Sequence, residues 1–157
     1  YKSNQCSMSN LYKEARKRRV DTDRLIFAEN LPLKEHLARY SLGDLALDTF
    51  NCNGGATTSD ALWAGLPVLT KIGQSFASRA SSSLLTSIGL PELITYSESE
   101  YEEKAFYIAN NPKEIIRLKS KLNKLKDTST LYNSELFTQD LEKIYLNLVQ
   151  NHYSLQD

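Results

Sequence analysis

Between Asp48 and Pro67 the sequence reads DTFNCNGGATTSDALWAGLP, the segment of the chain richest in groups able to meet a phosphate. Gly54 and Gly55 let a backbone approach a ligand closely. Hydroxyls follow at Thr57, Thr58 and Ser59, and the pattern then turns helical from about Ser59 to Ala64. First-turn N–H groups of a helix lack intrahelical partners and sit at the positive end of its dipole. A strand, a glycine loop and a helix start in that order suit a diphosphate, and Asp60 adds acceptors for ribose hydroxyls. The same residues also have a plainer reading, in which Thr58 or Ser59 only caps the helix and the glycines only shape a turn. Other phosphate signatures are missing. There is no GxxxxGK followed by Ser or Thr and no GxGxxG opening a first βα unit, so nucleoside-triphosphate hydrolysis and NAD binding lack their marks.

Positioning such a loop requires a scaffold, and the apolar pattern supplies one. Short runs at 24–28 (RLIFA), 44–49 (DLALDT), 67–70 (PVLT) and 92–95 (ELIT) read as buried strands. Helical spacing between them predicts helices over about 9–19, with a Ser9 or Asn10 cap, over 33–42, and over 76–88 closed by Gly89. Leu33, Leu37 and Tyr40 should share one face of the second of these. Gly65, with Pro67 just beyond, is a natural stop for the helix at 59–64. Strands alternating with helices of about ten residues indicate parallel βαβ units. Beyond Ser97 everything reads as helix, with Leu118, Leu122 and Leu125 as one apolar stripe and Leu141, Ile144, Tyr145 and Leu148 as another. The expected fold is α/β, a Rossmann-like parallel sheet flanked by helices with a helical C-terminal extension, forming a single domain over 1–157.

Composition narrows the function classes. The 157 residues carry 19 Lys+Arg against 19 Asp+Glu, a formal net charge of +0. A neutral chain offers no electrostatic footprint for nucleic acid or an anionic membrane. At 41% hydrophobic and 24% charged it is an ordinary globular sequence. No apolar run approaches the roughly 20 residues of a membrane span, and no secretory start is present. Cys6 and Cys52 stand far apart, and His36 and His152 have no metal-ligand spacing, so neither a disulfide framework nor a metal site is expected and the cytoplasm is the default compartment. The Glu98–Glu103 cluster lacks a DxD-type pairing and reads as acid at a helix start. Trp63 reads as a core residue, and Tyr101, Tyr107, Tyr132 and Tyr145 as helix-packing residues.

Several blocks resemble the C-terminal, nucleotide-binding lobe of the O-GlcNAc transferase and SPINDLY-like glycosyltransferases. They are DRLIFAENLPLKEHLARY (Asp23–Tyr40), LDTFNCNGGATTSDALWAGLPVLT (Leu47–Thr70), SFASRASSSLL (Ser75–Leu85), GLPELI (Gly89–Ile94) and YNSELFTQDLEKIY (Tyr132–Tyr145), and together they span nearly the whole chain. The resemblance implies one lobe of a two-lobed GT-B enzyme, with a UDP-sugar donor bound without metal or other cofactor. By matching position, it implies that His36 lies against the uracil ring, that Arg39 is near the base and that the Leu31 backbone reads the uracil edge. It further implies that Thr57, flanked by Ala56 and Thr58, binds the diphosphate and that Asp60 binds the ribose. Two departures stand out. Metazoan members have His-Thr-Thr where this chain has Gly55-Ala56-Thr57, so a phosphate hydroxyl is either lost or supplied by Thr58. The ribose lysine of the family falls at Leu33, with Lys34 one place later as the candidate.

The family's acceptor lobe, catalytic-base candidates and a diphosphate lysine lie N-terminal to the matching region, as do its tetratricopeptide repeats, and no 34-residue repeat occurs here. The first residue is Tyr1, not Met. The resulting expectation is a fragment that carries no catalytic residue and is inactive alone, within a parent that transfers N-acetylglucosamine from UDP-GlcNAc to Ser or Thr of a protein acceptor recognised through the missing N-terminal regions. Two alternatives are a non-catalytic α/β interaction module and another GT-B enzyme such as a UDP-sugar epimerase.

Overall fold

The structure, a computed structural model, describes residues 4–154; the outermost residues of the expected 1–157 domain lie outside the described range. The chain divides into two compact units, Tyr1–Arg39 and Tyr40–Asp157.

In the first unit, α1 (Gln5–Lys17) starts at an Asn4 cap whose side chain accepts from Ser7 N at 3.0 Å. The helix therefore begins earlier than the Ser9 or Asn10 cap predicted, because Asn4 already satisfies the first-turn donors. Lys17 and Arg18 both reach back to Glu14 across one turn, and the pair of cations holds its exposed carboxyl at about 2. The run RLIFA is not a strand. The Asp21 side chain accepts from Asp23 N at 3.0 Å and winds Thr22–Arg24 into a 3-10 turn, a local bond that competes with extended structure. Ile26 is 91% exposed, while Phe27 meets Tyr12 edge to face at 5.3 Å. The unit ends in α2 (Leu33–Arg39), which opens one residue after Pro32 as predicted and gives way to a 3-10 turn over Tyr40–Leu42.

The second unit holds the sheet. Its strands β1 (Ala46–Leu47), β2 (Val68–Lys71) and β3 (Ile94–Thr95) are parallel and lie in that order. Ala46 pairs with Val68, and Thr70 with Ile94. Between them run α3 (Ala56–Trp63) and α4 (Ala80–Ile88), and α5 (Glu98–Asn110), α6 (Pro112–Lys126) and α7 (Ser134–Ser154) follow. The expected α/β class, a Rossmann-like parallel sheet flanked by helices with a helical C-terminal extension, is the observed one, with three strands among the described residues in place of four.

The core forms where these elements meet. Leu62 of α3, Leu69 of β2, Leu85 of α4 and Leu122 of α6 are all fully buried. Gly65 (φ +83) and Gly89 (φ +87) end α3 and α4 in the left-handed conformation that glycine adopts without strain. Pro112 splits the long C-terminal pattern into α5 and α6, since it can open a helix but not continue one. Leu118 and Leu122 bury as predicted, whereas Ile144, Tyr145 and Leu148 of α7 stay more than half exposed. Trp63 is also not a core residue. It is 51% exposed and pairs edge-on with Tyr132 at 5.0 Å, the core positions around it being taken by Ala61, Leu62 and Leu66.

Candidate functional site

In the second unit the predicted phosphate segment forms the junction from β1 to α3. The helix begins three residues before the predicted start, at Ala56, with Gly55 as its cap and no side-chain capping bond. Thr57 is therefore in the first turn and exposed, and Ala56 beside it is exposed as well. No acidic residue lies in that turn. The helix end thus offers backbone donors and a hydroxyl to solvent with nothing of its own to satisfy them.

Gly54 sets the approach. A Cβ placed on it would come within 2.5 Å of Thr58 Oγ1 and 2.7 Å of Thr57 Oγ1, so only glycine fits without displacing both threonines. Its backbone is gripped from two directions. Its N–H donates to Asp48 Oδ1 at 2.8 Å, and its carbonyl accepts from Ser81 Oγ at 2.9 Å. Ser81 Oγ also lies 2.9 Å from Thr58 Oγ1. Thr58 is 4% exposed, so the hydroxyl expected to reach a phosphate is instead bonded to Ser81 inside the fold. Thr58 keeps a first-turn N–H, while its hydroxyl is engaged by Ser81.

Asp60, one turn into α3, is half-buried, and its carboxylate accepts no hydrogen bond among the described residues. Its charge acts on Tyr132, whose hydroxyl donates to Ser59 O at 2.9 Å. Burial pushes the Tyr132 phenol above its ordinary range, and the Asp60 charge adds to that.

Sequence reasoning missed Asp48, which it read as an ordinary strand residue. The carboxylate takes three donors: Thr49 N at 2.9 Å, Gly54 N at 2.8 Å and Thr70 Oγ1 at 2.6 Å. Its backbone carbonyl accepts from Tyr101 O–H at 3.0 Å. Burial, and then the Asp48 charge, raise the Tyr101 phenol to about 12. The available signal was an Asp at the end of a strand and six residues before a glycine, a spacing that lets one carboxylate close the loop. A small cleft beside it is lined by Tyr40, Leu47, Asp48, Thr57, Thr58 and Ala61. A larger groove in the same unit, lined by Ile72, Phe76, Arg79, Thr86 and Tyr96, contains none of the predicted residues.

The other predicted residues, Leu31, Lys34, His36 and Arg39, belong to the first unit. Leu31 directly precedes Pro32, and Lys34 is exposed on α2. His36 and Arg39, one turn apart, do meet. Arg39 Nη2 lies 2.8 Å from His36 Nδ1, and Nη1 donates to Glu29 O at 2.8 Å. A guanidinium only donates, so in this contact Nδ1 is the accepting side. Among the described residues no group of three or more His, Cys, Asp or Glu side chains is placed to hold a metal ion. No helix among them is long and apolar enough to cross a membrane.

Comparison with known proteins bears on the whole arrangement. Residues 4–141 match the profile of Glycosyl transferase family 41. The chain is 32% identical over 127 residues to the Caenorhabditis elegans UDP-N-acetylglucosamine–peptide N-acetylglucosaminyltransferase, covering 81% of this chain and 11% of that protein. It is 36% identical over 138 residues to the probable Arabidopsis thaliana enzyme SEC, covering 87% and 14%. Against the rice protein named as a probable enzyme of the same type, SPINDLY, identity is 37% over 114 residues, covering 73% and 12%. A solved structure of a mutant Thermobaculum terrenum O-GlcNAc transferase superposes with a TM-score of 0.84 at 33% identity, over 90% of this chain and 27% of that one. That likeness bears out the GT-B type of fold that the sequence blocks implied. The chain spans only about a seventh or less of the curated relatives it matches (11% and 14%). With nearly the whole described chain matched and identities above 30%, it belongs to glycosyl transferase family 41.

Proposed function

We propose that this chain is the UDP-sugar-binding portion of a protein O-linked N-acetylglucosaminyltransferase of family 41, whose parent transfers the sugar from UDP-GlcNAc to Ser or Thr hydroxyls. The observation that carries the reading is the α3 N-terminus. Within a family-41 chain it is an uncapped helix start with an exposed Thr57 and no acid in its first turn, which is the electrostatic environment a leaving diphosphate needs. Ala56 and Thr58 contribute backbone N–H groups, Thr57 a hydroxyl as well, and Asp60 accepts from the ribose. In the first unit, His36 stacks on the uracil with Arg39 holding its Nδ1, the Leu31 backbone reads the base edge, and Lys34 reaches the ribose. No cofactor or metal takes part, because N–H groups and hydroxyls neutralise the diphosphate. No catalytic residue is assigned within this chain. The protein acceptor is selected by other parts of the parent, neither nucleic acid nor a membrane is a partner, and the cytoplasm is its compartment.

Calorimetric titration of the chain with UDP and with GDP, both in EDTA, tests this. UDP should bind and GDP should bind at least about tenfold more weakly, the difference of about 1.4 kcal/mol expected for losing base-edge hydrogen bonds. Equal affinities remove the uridine assignment, and a requirement for Mg²⁺ or Mn²⁺ removes the metal-free site.

A further inference from the structure

The loop from β1 to α3 carries a charge that runs against its proposed ligand. Asp48 is acidic and bonds directly to Gly54, the residue before the Gly55 cap of α3. By charge alone it repels a diphosphate, so its presence needs a reason of another kind. The geometry supplies one. Three donors converge on one carboxylate: the adjacent Thr49 N–H, the Gly54 N–H across the loop and the Thr70 hydroxyl on the neighbouring strand. Thr70 is fully buried and is held in turn, its carbonyl accepting from Thr95 Oγ1 at 2.9 Å. A line of polar contacts therefore runs from β3 through β2 to Asp48 and ends on Gly54. The opposite side of Gly54 is fixed by Ser81, which also holds Thr58.

We propose that Asp48 is a positioning residue for the anion site, clamping Gly54 to β2 through Thr70 so that the first turn of α3 is presented in its binding geometry. This rests on the reading of α3 as the diphosphate site. The carboxylate touches no ligand; it acts through Gly54. An asparagine can reproduce its bonds, since the amide oxygen accepts from Gly54 and Thr49 while the amide nitrogen donates to Thr70 Oγ1. Alanine can reproduce none.

The test compares wild type, Asp48→Ala, Asp48→Asn and Thr70→Val in the full chain, with UDP and inorganic pyrophosphate as calorimetric probes below the unfolding transition of each variant. Positioning predicts that Asp48→Ala weakens both probes by about tenfold or more and that Asp48→Asn restores them to within about threefold of wild type. Tighter binding in both variants means that Asp48 acts only as a repelling charge, and the proposal falls. Unchanged affinity in Asp48→Ala with a lowered melting temperature means a purely structural role, and the proposal falls again. If Asp48→Ala does not fold, Thr70→Val decides: weakened UDP binding by a folded protein supports the clamp, and wild-type affinity overturns it. Failure of the wild-type chain to bind either probe overturns the diphosphate reading itself, and the clamp with it.

Discussion

Two strand-to-helix junctions in the second unit differ in how they treat the helix they begin. At the junction from β3 to α5, Ser97 caps the helix by accepting from Glu100 N at 3.1 Å, and Glu100 Oε2 reaches back to Tyr96 N at 2.8 Å. Glu98 and Glu100 put two acids in the first turn, so this helix answers its own dipole and its own free donors. At the junction from β1 to α3, glycine stands at the cap, no side chain caps the first-turn N–H groups and no acid is in the first turn. The polar side chains nearby are abundant, but Asp48 bonds to the Gly54 N–H, and Ser81 to the Gly54 carbonyl and to Thr58. Their bonds hold the loop in shape and leave the helix end open. An uncapped helix start of this kind is what the proposed diphosphate site rests on.

The comparison breaks most easily at Gly54. Gly54→Ala should cost about 1–3 kcal/mol of stability, because the new Cβ must displace Thr57 and Thr58, and thermal unfolding will show it. Gly55→Ala is the matched control: a Cβ there meets nothing within 4 Å, and the change should stay within about 0.5 kcal/mol. Equal costs at the two positions would mean that the loop is not held as described.

Thr57→Val should weaken UDP by about tenfold, near 1.4 kcal/mol, while leaving the melting temperature nearly unchanged. At the other junction the pattern reverses. Ser97→Ala should cost about 1 kcal/mol of stability and leave UDP affinity untouched.

The smallest effect ties the two junctions through Tyr101 of α5, whose hydroxyl donates to the Asp48 carbonyl. Its folded-state pKa is raised from 10.0 to about 12 by burial and by the Asp48 charge. A raised pKa stabilises the fold fully below the unfolded value and progressively less as pH climbs through the folded one. Stability should therefore decline between about pH 10 and 12 in wild type, and Tyr101→Phe should lessen that decline. Ultraviolet absorbance of the phenolate alongside unfolding curves will measure both.

The same contrast explains what could be read from the sequence. The acids at 98–103 and the glycine stops at Gly65 and Gly89 announce themselves by residue type, and a helix start near 98 and the ends of α3 and α4 were legible. The start of α3 was not. Thr58 and Ser59 are favoured cap types, so cap chemistry places the helix start at Ser59, whereas the structure begins it at Ala56 behind a glycine that caps with no side chain. The run RLIFA has strand composition, yet the Asp21 bond turns the backbone just ahead of it, and composition alone cannot supply a neighbouring strand. The residue types of the candidate site were legible in advance; the contact of His36 with Arg39 was not read from the sequence. The clamp at Asp48 was not, because its partners stand six and twenty-two residues away and only the parallel pairing of β1 with β2 brings Thr70 to it.

The most direct measurement is a set of amide spectra of isotope-labelled chain during titration with UDP in EDTA. The account predicts that the Ala56, Thr57 and Thr58 amides shift most within the second unit while those of Glu98, Ser99 and Glu100 at the self-capped helix stay in place. Unmoved amides at 56–58, or equal movement at both helix starts, would contradict it.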